Sequence, residues 1–116
     1  MNYIFQEEQL GTGHAIMVAK DELSKKEYDT ILVLPGDHPL VSVETLKNLE
    51  KVHKEKKATI TMATAVVPHF EENFSVFHHY GRVIRNGGGQ VKKIVEFKDA
   101  TEDEREVKEV NLAYYC

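Results

Sequence analysis

The sequence predicts an α/β fold, with a mixed, mostly parallel sheet and a β-hairpin in its second half, in a single domain over residues 1–116. Three observations favour this class. Residues 31–34 form a uniformly apolar run, which is typical of a strand covered on both faces. A helical pattern follows, and residues 58–67 then alternate small or threonine residues with apolar ones, as strands do. Strand, helix and strand in this order indicate a parallel crossover.

The first half of the chain contains the two longer candidate helices. Thr12 is placed to cap a helix over residues 13–24, where apolar residues recur at helical spacing. The apolar run ends at residues 35–39, because two prolines and a glycine there prevent a strand from continuing. Ser42 opens the next helix, which has an acid in its first turn and lysines near its end, as the helix dipole favours.

The pattern in the second half of the chain predicts shorter helices and strands. Residues 68–79 have no clean period and predict an irregular segment. Residues 82–97 predict a β-hairpin around the glycine-rich turn 86–89. The charge-dense stretch that follows Thr101 predicts a short exposed helix, and residues 110–115 predict a final strand.

Composition excludes several classes of partner. Fifteen Lys and Arg against nineteen Asp and Glu give a net charge of −4, whereas nucleic-acid binding needs clustered cations. The longest apolar runs fall far short of the ~20 residues that cross a bilayer, and no signal peptide pattern is present. The lone cysteine, Cys116, rules out a disulfide within the chain. We therefore expect a cytoplasmic protein with neither nucleic acid nor membrane as partner.

Asp37 is the first candidate for chemistry. It follows the apolar strand directly, at the edge where α/β sheets bind ligands. Gly36 before it allows a ligand to approach the backbone closely. A single carboxylate there suits Mg²⁺, which draws its other ligands from phosphates and water. The alternative interpretation is an aspartate that only caps the turn.

Residues 9–14, Gln-Leu-Gly-Thr-Gly-His, are the second candidate. Free N–H groups at a helix start favour an anion or a polar ring edge, and the two glycines let a ligand lie against the backbone. The segment is neither a Walker A loop nor a G-x-G-x-x-G motif. A helix entered through a flexible turn remains an equally good interpretation.

Together, these segments resemble the bacterial N-acetylglucosamine-1-phosphate uridyltransferases. The matching segments occur in the family's order: QEEQLGTGHA at 6–15, LPGDHPL at 34–40, YGRV at 80–83, IVEFKDAT at 94–101 and EVN at 109–111. The resemblance covers nearly the whole chain and is weakest over residues 65–79. It implies a Rossmann-like, GT-A-like nucleotidyltransferase domain.

The same resemblance implies an activity. UTP and N-acetylglucosamine 1-phosphate would give UDP-N-acetylglucosamine and pyrophosphate, with Mg²⁺ as cofactor, for cell-wall precursor synthesis. The two small molecules would be the partners, and the parent protein would be a homo-oligomer. No general base is expected, because the attacking phosphate oxygen is already ionised at neutral pH.

The resemblance also implies the residues of the site. Gln6, Gly11 and Thr12 would contact the uracil and ribose; Pro35, Gly36 and Asp37 would lie beside the nucleotide; Gly81, Glu96 and Asn111 would hold the N-acetylglucosamine moiety. Asp37 would be both the Mg²⁺ ligand and the catalytic residue.

Four positions depart from the family pattern. Pro35 replaces a tyrosine, His79 replaces a glycine, and Leu112 and Ala113 replace a Thr-Gly pair. The family's glycine-rich triphosphate loop and a later metal-binding asparagine have no counterpart in the sequence. We therefore expect a partial domain that is inactive on its own.

Three other functions remain open. One is a nucleotidyltransferase for another sugar phosphate. Another is a GT-A-like glycosyltransferase, which would carry a D-x-D metal motif where this sequence has the single carboxylate of Asp37. The third is a non-catalytic module that binds sugar nucleotides.

Overall fold

The computed structural model describes residues 2–116, whose helices and strands alternate irregularly along the chain. In order they are α1 (Thr12–Leu23), α2 (Val43–Lys56), β1 (Met62–Val66), a 3₁₀ helix (Glu72–His79), β2 (Arg82–Arg85), β3 (Val91–Val95), α3 (Glu102–Arg105) and β4 (Glu109–Tyr115). The chain divides into two compact units, one ending at Ile31 and the other covering Leu32–Cys116. Among the described residues, no helix is long and apolar enough to span a bilayer.

The first unit contains α1, which starts one residue earlier than the sequence predicts. Gly11 occupies the N-cap position with φ of 96°, and no side chain caps the helix. The expectation that Thr12 caps this helix is wrong, because Thr12 is already its first residue. No residue of α1 is buried.

The second unit opens into α2, whose bounds agree with the sequence. The Ser42 hydroxyl accepts a hydrogen bond from the Thr45 N–H at 3.0 Å, so the predicted cap is confirmed. Lys57 ends the helix in the left-handed conformation, with φ of 48°. Leu49 alone of this helix is buried, at 6% exposure.

The sheet has the order β1-β4-β2-β3, and every pairing in it is antiparallel. The expected mostly parallel sheet is therefore wrong. The predicted strand at 31–34 is also wrong in extent, since it contributes only a single antiparallel bridge between Val33 and Tyr115.

The position of β4 explains the error. Tyr115 exchanges both of its backbone hydrogen bonds with Val33, whereas Cys116 exchanges both with Thr61. Successive residues of a strand direct their backbone groups to opposite edges, so β4 lies between the Val33 segment and β1. Those two segments run in the same direction, as the strand-helix-strand order predicts, but they do not pair with each other.

A bulge interrupts β4 where it pairs with β1. The register passes from Ala63 opposite Tyr114 to Thr64 opposite Asn111, which leaves Leu112 and Ala113 unpaired with β1. Ala113 has a left-handed φ of 58°. The side-chain oxygen of Asn111 accepts a hydrogen bond from the Ala113 N–H at 3.0 Å and fixes this turn.

The irregular segment predicted over residues 68–79 is wrong in part, since it contains the 3₁₀ helix Glu72–His79, but two other local predictions are confirmed. Strands β2 and β3 form the predicted hairpin, and the Asn86 side-chain oxygen accepts hydrogen bonds from the N–H groups of Gly88 and Gln90 at the turn. The short helix α3 follows Thr101, which forms a reciprocal capping box with Glu104. Both motifs depend only on neighbours a few residues away.

Within residues 2–116 the core lies in the second unit, and one cation is buried in the same unit. The buried apolar residues are Leu49, Val67, Val83, Ala100 and Val110. Arg82 is 0% exposed, and its guanidinium donates to the carbonyls of His78, Tyr80 and Arg105 while stacking over the Phe70 ring at 4.2 Å. Burial lowers the pKa of Arg82 below its ordinary value. Carbonyl oxygens and an aromatic face thus replace water around this charge.

Candidate active site

The turn after Val33 carries Asp37 to the wall of a cleft of about 500 Å³ in the second unit. The cleft is lined by Asp37, His38, Pro39, Leu40, Val41, Phe77, Tyr80, Leu112 and Tyr114. Its lining is mainly apolar and aromatic, with Asp37 as the acid. Pro35 and Gly36 precede Asp37 in the same turn.

The Asp37 side chain is exposed and makes no hydrogen bond or ion pair with the residues that the structure describes. It does not cap the turn through any such bond. Within residues 2–116 no group of three or more acids, histidines or cysteines could enclose a metal ion. One open carboxylate fits Mg²⁺, which keeps several waters and binds through one or two carboxylates and substrate phosphates.

His38, next to Asp37, is held by two tyrosine hydroxyls. Its Nδ1 lies 3.0 Å from the Tyr114 hydroxyl, and its Nε2 lies 3.1 Å from the Tyr80 hydroxyl. Burial raises the pKa of Tyr80, and the neighbouring Tyr114 and Asp37 raise it further. Tyr80 therefore keeps its proton at neutral pH and can take part in hydrogen bonds as a hydroxyl.

Three residues that the family resemblance assigns to one sugar come together from separate segments. The carbonyl of Gly81, the residue just before β2, accepts a hydrogen bond from the Asn111 N–H on β4 at 2.9 Å. A Cβ added at Gly81 would lie 3.4 Å from Oε1 of Glu96, which follows β3. Gly81, Glu96 and Asn111 are thus immediate neighbours in space.

The side chains of this cluster differ in how far they are already engaged. Asn111 donates from its amide to the Tyr115 hydroxyl at 2.7 Å and accepts from the Ala113 N–H. Its amide still has one N–H, and its oxygen one lone pair, for a ligand. The Glu96 carboxylate is exposed and forms no hydrogen bond or ion pair within residues 2–116. The Glu96 carboxylate, an acceptor, and the Asn111 amide therefore lie close together.

Gln6, Gly11 and Thr12 lie in the first unit. The Gln6 amide nitrogen lies 2.9 Å from Nδ1 of His14, which ties the chain before α1 to the first turn of that helix. Gly11 and Thr12 are exposed at the helix start, where no side-chain cap occupies the first N–H groups. Because no side chain caps this helix, these N–H groups can donate hydrogen bonds to a ligand's acceptor atoms.

Sequence reasoning missed the residues that join the predicted site groups. His38 follows Asp37 and Tyr80 precedes Gly81, so their hydrogen bond links the acid turn to the Gly81 cluster. Arg82 was seen only as part of a matching segment, yet it anchors the Tyr80 carbonyl. The sequence offered one signal for these residues: His38 and Tyr80 are polar aromatic residues directly adjacent to the predicted site residues Asp37 and Gly81.

Comparison with known proteins identifies relatives over this entire region. A family model described as nucleotidyl transferase matches residues 1–109. The bifunctional protein GlmU of Clostridium acetobutylicum is 46% identical over 116 residues, which is 100% of this chain and 24% of that protein. The proteins of the same name from Enterococcus faecalis and Bacillus licheniformis are each 47% identical over 114 residues, 98% of this chain and 23% of theirs. The chain spans about a quarter of the length of these curated relatives.

Proposed function

Because the chain belongs to the nucleotidyl transferase family, we propose that it forms part of an enzyme that joins UTP to N-acetylglucosamine 1-phosphate. The observation that carries this proposal is the meeting of Gly81, Glu96 and Asn111, which come from three separate segments. These are the residues that the resemblance assigns to the N-acetylglucosamine moiety. The GlmU relatives at 46–47% identity support the same assignment.

The cluster supplies what an amino sugar needs. The Glu96 carboxylate accepts hydrogen bonds from sugar hydroxyls, and the Asn111 amide bonds the N-acetyl group. The backbone bond from Asn111 to Gly81 fixes the spacing of the two strands that flank the sugar. Gly81 is buried, and its missing side chain leaves the space beside the Glu96 carboxylate for the ligand.

The reaction requires that the two substrates be aligned and that the charge on the phosphates be neutralised. A phosphate oxygen of the sugar phosphate attacks the α-phosphorus of UTP; the new P–O bond forms as the bond to pyrophosphate breaks, and pyrophosphate leaves. Asp37 would hold Mg²⁺, which when bound offsets the charge on the phosphates. The attacking oxygen is already ionised, so the protein's contribution is to hold both substrates in line.

The resemblance assigns two groups of residues to the nucleotide, and each group has a feature that suits this role. Pro35 and Gly36 lie beside Asp37 in sequence, and Gly36 leaves its backbone accessible because a Cβ there would meet nothing within 4 Å. Gln6, Gly11 and Thr12 would contact the uracil and ribose, for which the open N–H groups at the start of α1 are suitable donors.

The wider setting follows from the resemblance. We place the reaction in the cytoplasm, in the synthesis of cell-wall precursors, within a homo-oligomeric protein of Rossmann-like, GT-A-like topology. The shared direction of the Val33 segment and β1 supports that topology.

A substrate comparison tests the proposal. In the complete protein that carries these residues, kcat/KM for N-acetylglucosamine 1-phosphate should exceed that for glucose 1-phosphate roughly 100-fold, because unpaired polar groups penalise the analogue. Glu96→Gln and Asn111→Ala should each lower kcat/KM for the preferred sugar. Glu71→Gln, at an exposed acid outside the cluster, is the matched control and should change nothing. Equal kcat/KM for the two sugars would instead support a nucleotidyltransferase of broader specificity.

A further inference from the structure

Both ring nitrogens of His38 are engaged by tyrosine hydroxyls from different parts of the chain. Tyr114 meets Nδ1 at 3.0 Å and packs edge-on at 5.5 Å between ring centroids, while Tyr80 meets Nε2 at 3.1 Å. A tyrosine hydroxyl can either donate or accept, so both ring nitrogens are satisfied in either tautomer. The two bonds fix the orientation of the His38 ring as well as its position.

The anchors of His38 are firmly held. The Tyr80 carbonyl accepts a hydrogen bond from the guanidinium of Arg82, which is 0% exposed. Tyr114 belongs to β4 and pairs with Ala63 of β1. The turn that carries His38 leaves the sheet after Val33, and its Leu40 is 94% exposed. The tyrosine bonds therefore connect the exposed part of this turn back to the sheet.

The same bonds connect the two halves of the candidate site. His38 follows Asp37, Tyr80 precedes Gly81, and Tyr114 lies on β4 just beyond the bulge that follows Asn111. His38 therefore adds a side-chain connection between the Asp37 turn and the segments that carry Gly81 and Asn111, beyond the backbone bonds of Val33 with Tyr115.

We propose that His38 is a positioning residue, which holds the Asp37 turn at a fixed distance from the segments that carry Gly81 and Asn111. The functional part of this inference rests on the proposed function. In-line transfer is sensitive to such spacing, because a displacement of about 1 Å can lower the rate roughly 100-fold. In this role His38 acts through the position of the Asp37 turn.

Variants of His38 in the complete protein test the role. His38→Ala should lower kcat roughly 30-fold while the KM values for both substrates change less than about threefold, since alignment rather than binding is lost. His38→Asn places an amide near the Nδ1 position and His38→Gln near the Nε2 position, so each should recover part of the loss. His53→Ala removes a comparable hydrogen bond, from Nδ1 to the Thr61 hydroxyl at 3.0 Å, and should leave kcat unchanged.

Tyrosine variants separate positioning from general stability. Tyr80→Phe should lower kcat on its own but cause little further loss in the His38→Ala background, because the two residues act through one bond. A purely structural role would instead produce parallel losses of melting temperature with independent effects on kcat. Independent effects of Tyr80→Phe and His38→Ala on kcat would overturn the proposal.

Hydrogen exchange gives a readout that does not depend on activity. His38→Ala should accelerate amide exchange in residues 36–41 at least about tenfold, whereas His53→Ala should not. Unchanged exchange in that turn overturns the inference, and so does a kcat for His38→Ala within threefold of the wild type. If His38→Ala accelerates amide exchange as expected but the wild-type protein converts neither substrate, the proposed function is contradicted. The positioning of the Asp37 turn by His38 would still be supported.

Discussion

At the scale of single residues, Ala113 shows how this chain tolerates a strained backbone. It adopts φ of 58° in the β4 bulge, at a position where the resembling family has a glycine. A left-handed conformation costs a residue with a Cβ roughly 1–2 kcal/mol. The bond from the Ala113 N–H to the Asn111 side chain offsets part of that cost and at the same time orients the Asn111 amide.

Ala113→Gly should stabilise the protein. Relief of the strain exceeds the extra chain entropy that glycine loses on folding, so we expect a gain of about 0.5–1 kcal/mol in the free energy of unfolding. Urea unfolding measures it. Ala63→Gly, in the facing strand, is the matched control and should destabilise by a similar amount. A loss of stability in Ala113→Gly would show that the left-handed turn is not strained.

Asp37→Asn should leave the fold intact and abolish most of the activity of the complete protein. The exposed carboxylate makes no bond within residues 2–116, so stability should change by less than about 0.5 kcal/mol. A neutral amide cannot offset phosphate charge, and kcat should fall at least about 100-fold. Steady-state rates across a magnesium titration measure the effect, with Asp29→Asn as an exposed control. Near-wild-type turnover at limiting Mg²⁺ would remove Asp37 from the metal site.

At the scale of elements, one carboxylate connects three strands of the sheet. Glu109 on β4 accepts two hydrogen bonds from the Arg85 guanidinium on β2, both at 2.7 Å, and one from the Thr64 hydroxyl on β1 at 2.8 Å. The bond with Arg85 is the main reason why the pKa of Glu109 lies below its ordinary value; burial opposes this shift, and Thr64 adds to it.

The free energy of unfolding should therefore decrease at low pH, because Glu109 becomes protonated and loses its bonds. Because its pKa is lower in the folded state, the contribution is complete above the unfolded value of about 4.3 and is lost as pH falls through the folded pKa. Glu109→Gln should cost about 1 kcal/mol at pH 7, a value reduced from that of a buried pair because Arg85 is half exposed. Unfolding free energies from pH 7 to pH 3 should converge for the two proteins. A constant difference across that range would contradict the assignment.

At the scale of the whole molecule, the two units differ in how they are stabilised. Among residues 2–116, the buried ones all lie in Leu32–Cys116, and they include Leu49, Val83 and Val110. The first unit holds α1, in which no residue is buried. Burial of apolar surface is the main favourable term in folding, so the second unit contains most of the stability.

Hydrogen exchange should reveal this difference in the chain of 116 residues. Amides of α1 should exchange at least about 100-fold faster than those at the centre of β4, because helices without a buried face open locally at little cost. Exchange followed by mass spectrometry measures both segments in one experiment. Equal protection of α1 and β4 would show that the first unit is stabilised as strongly as the second.

The sequence predicted the features that depend on near neighbours. The Ser42 cap, the turn at Asn86 and the short helix after Thr101 need only residues a few positions away, and all three are confirmed, whereas the cap expected at Thr12 is wrong. The prediction of mostly parallel strands was wrong, because strand direction depends on the pairing of β4 with the distant Val33 segment. No local pattern contains that information.

The same distinction holds for the candidate site. Resemblance selected Gly81, Glu96 and Asn111, which the structure brings together, but their roles remain predictions. The bonds of His38 to two tyrosines could not be predicted, because an imidazole in a turn gives no sign of partners far along the chain. Distant side-chain partners are decided by tertiary packing alone.

The central place of β4 has a consequence for how the protein is made. A ribosome synthesises β1 and the β2–β3 hairpin before β4, at roughly 5–20 residues per second. Until β4 emerges, β1 and β2 lack their common neighbour, and only the hairpin can pair. The nascent chain therefore exposes unpaired strand edges for several seconds, during which a chaperone that binds extended apolar segments would have its best opportunity to act.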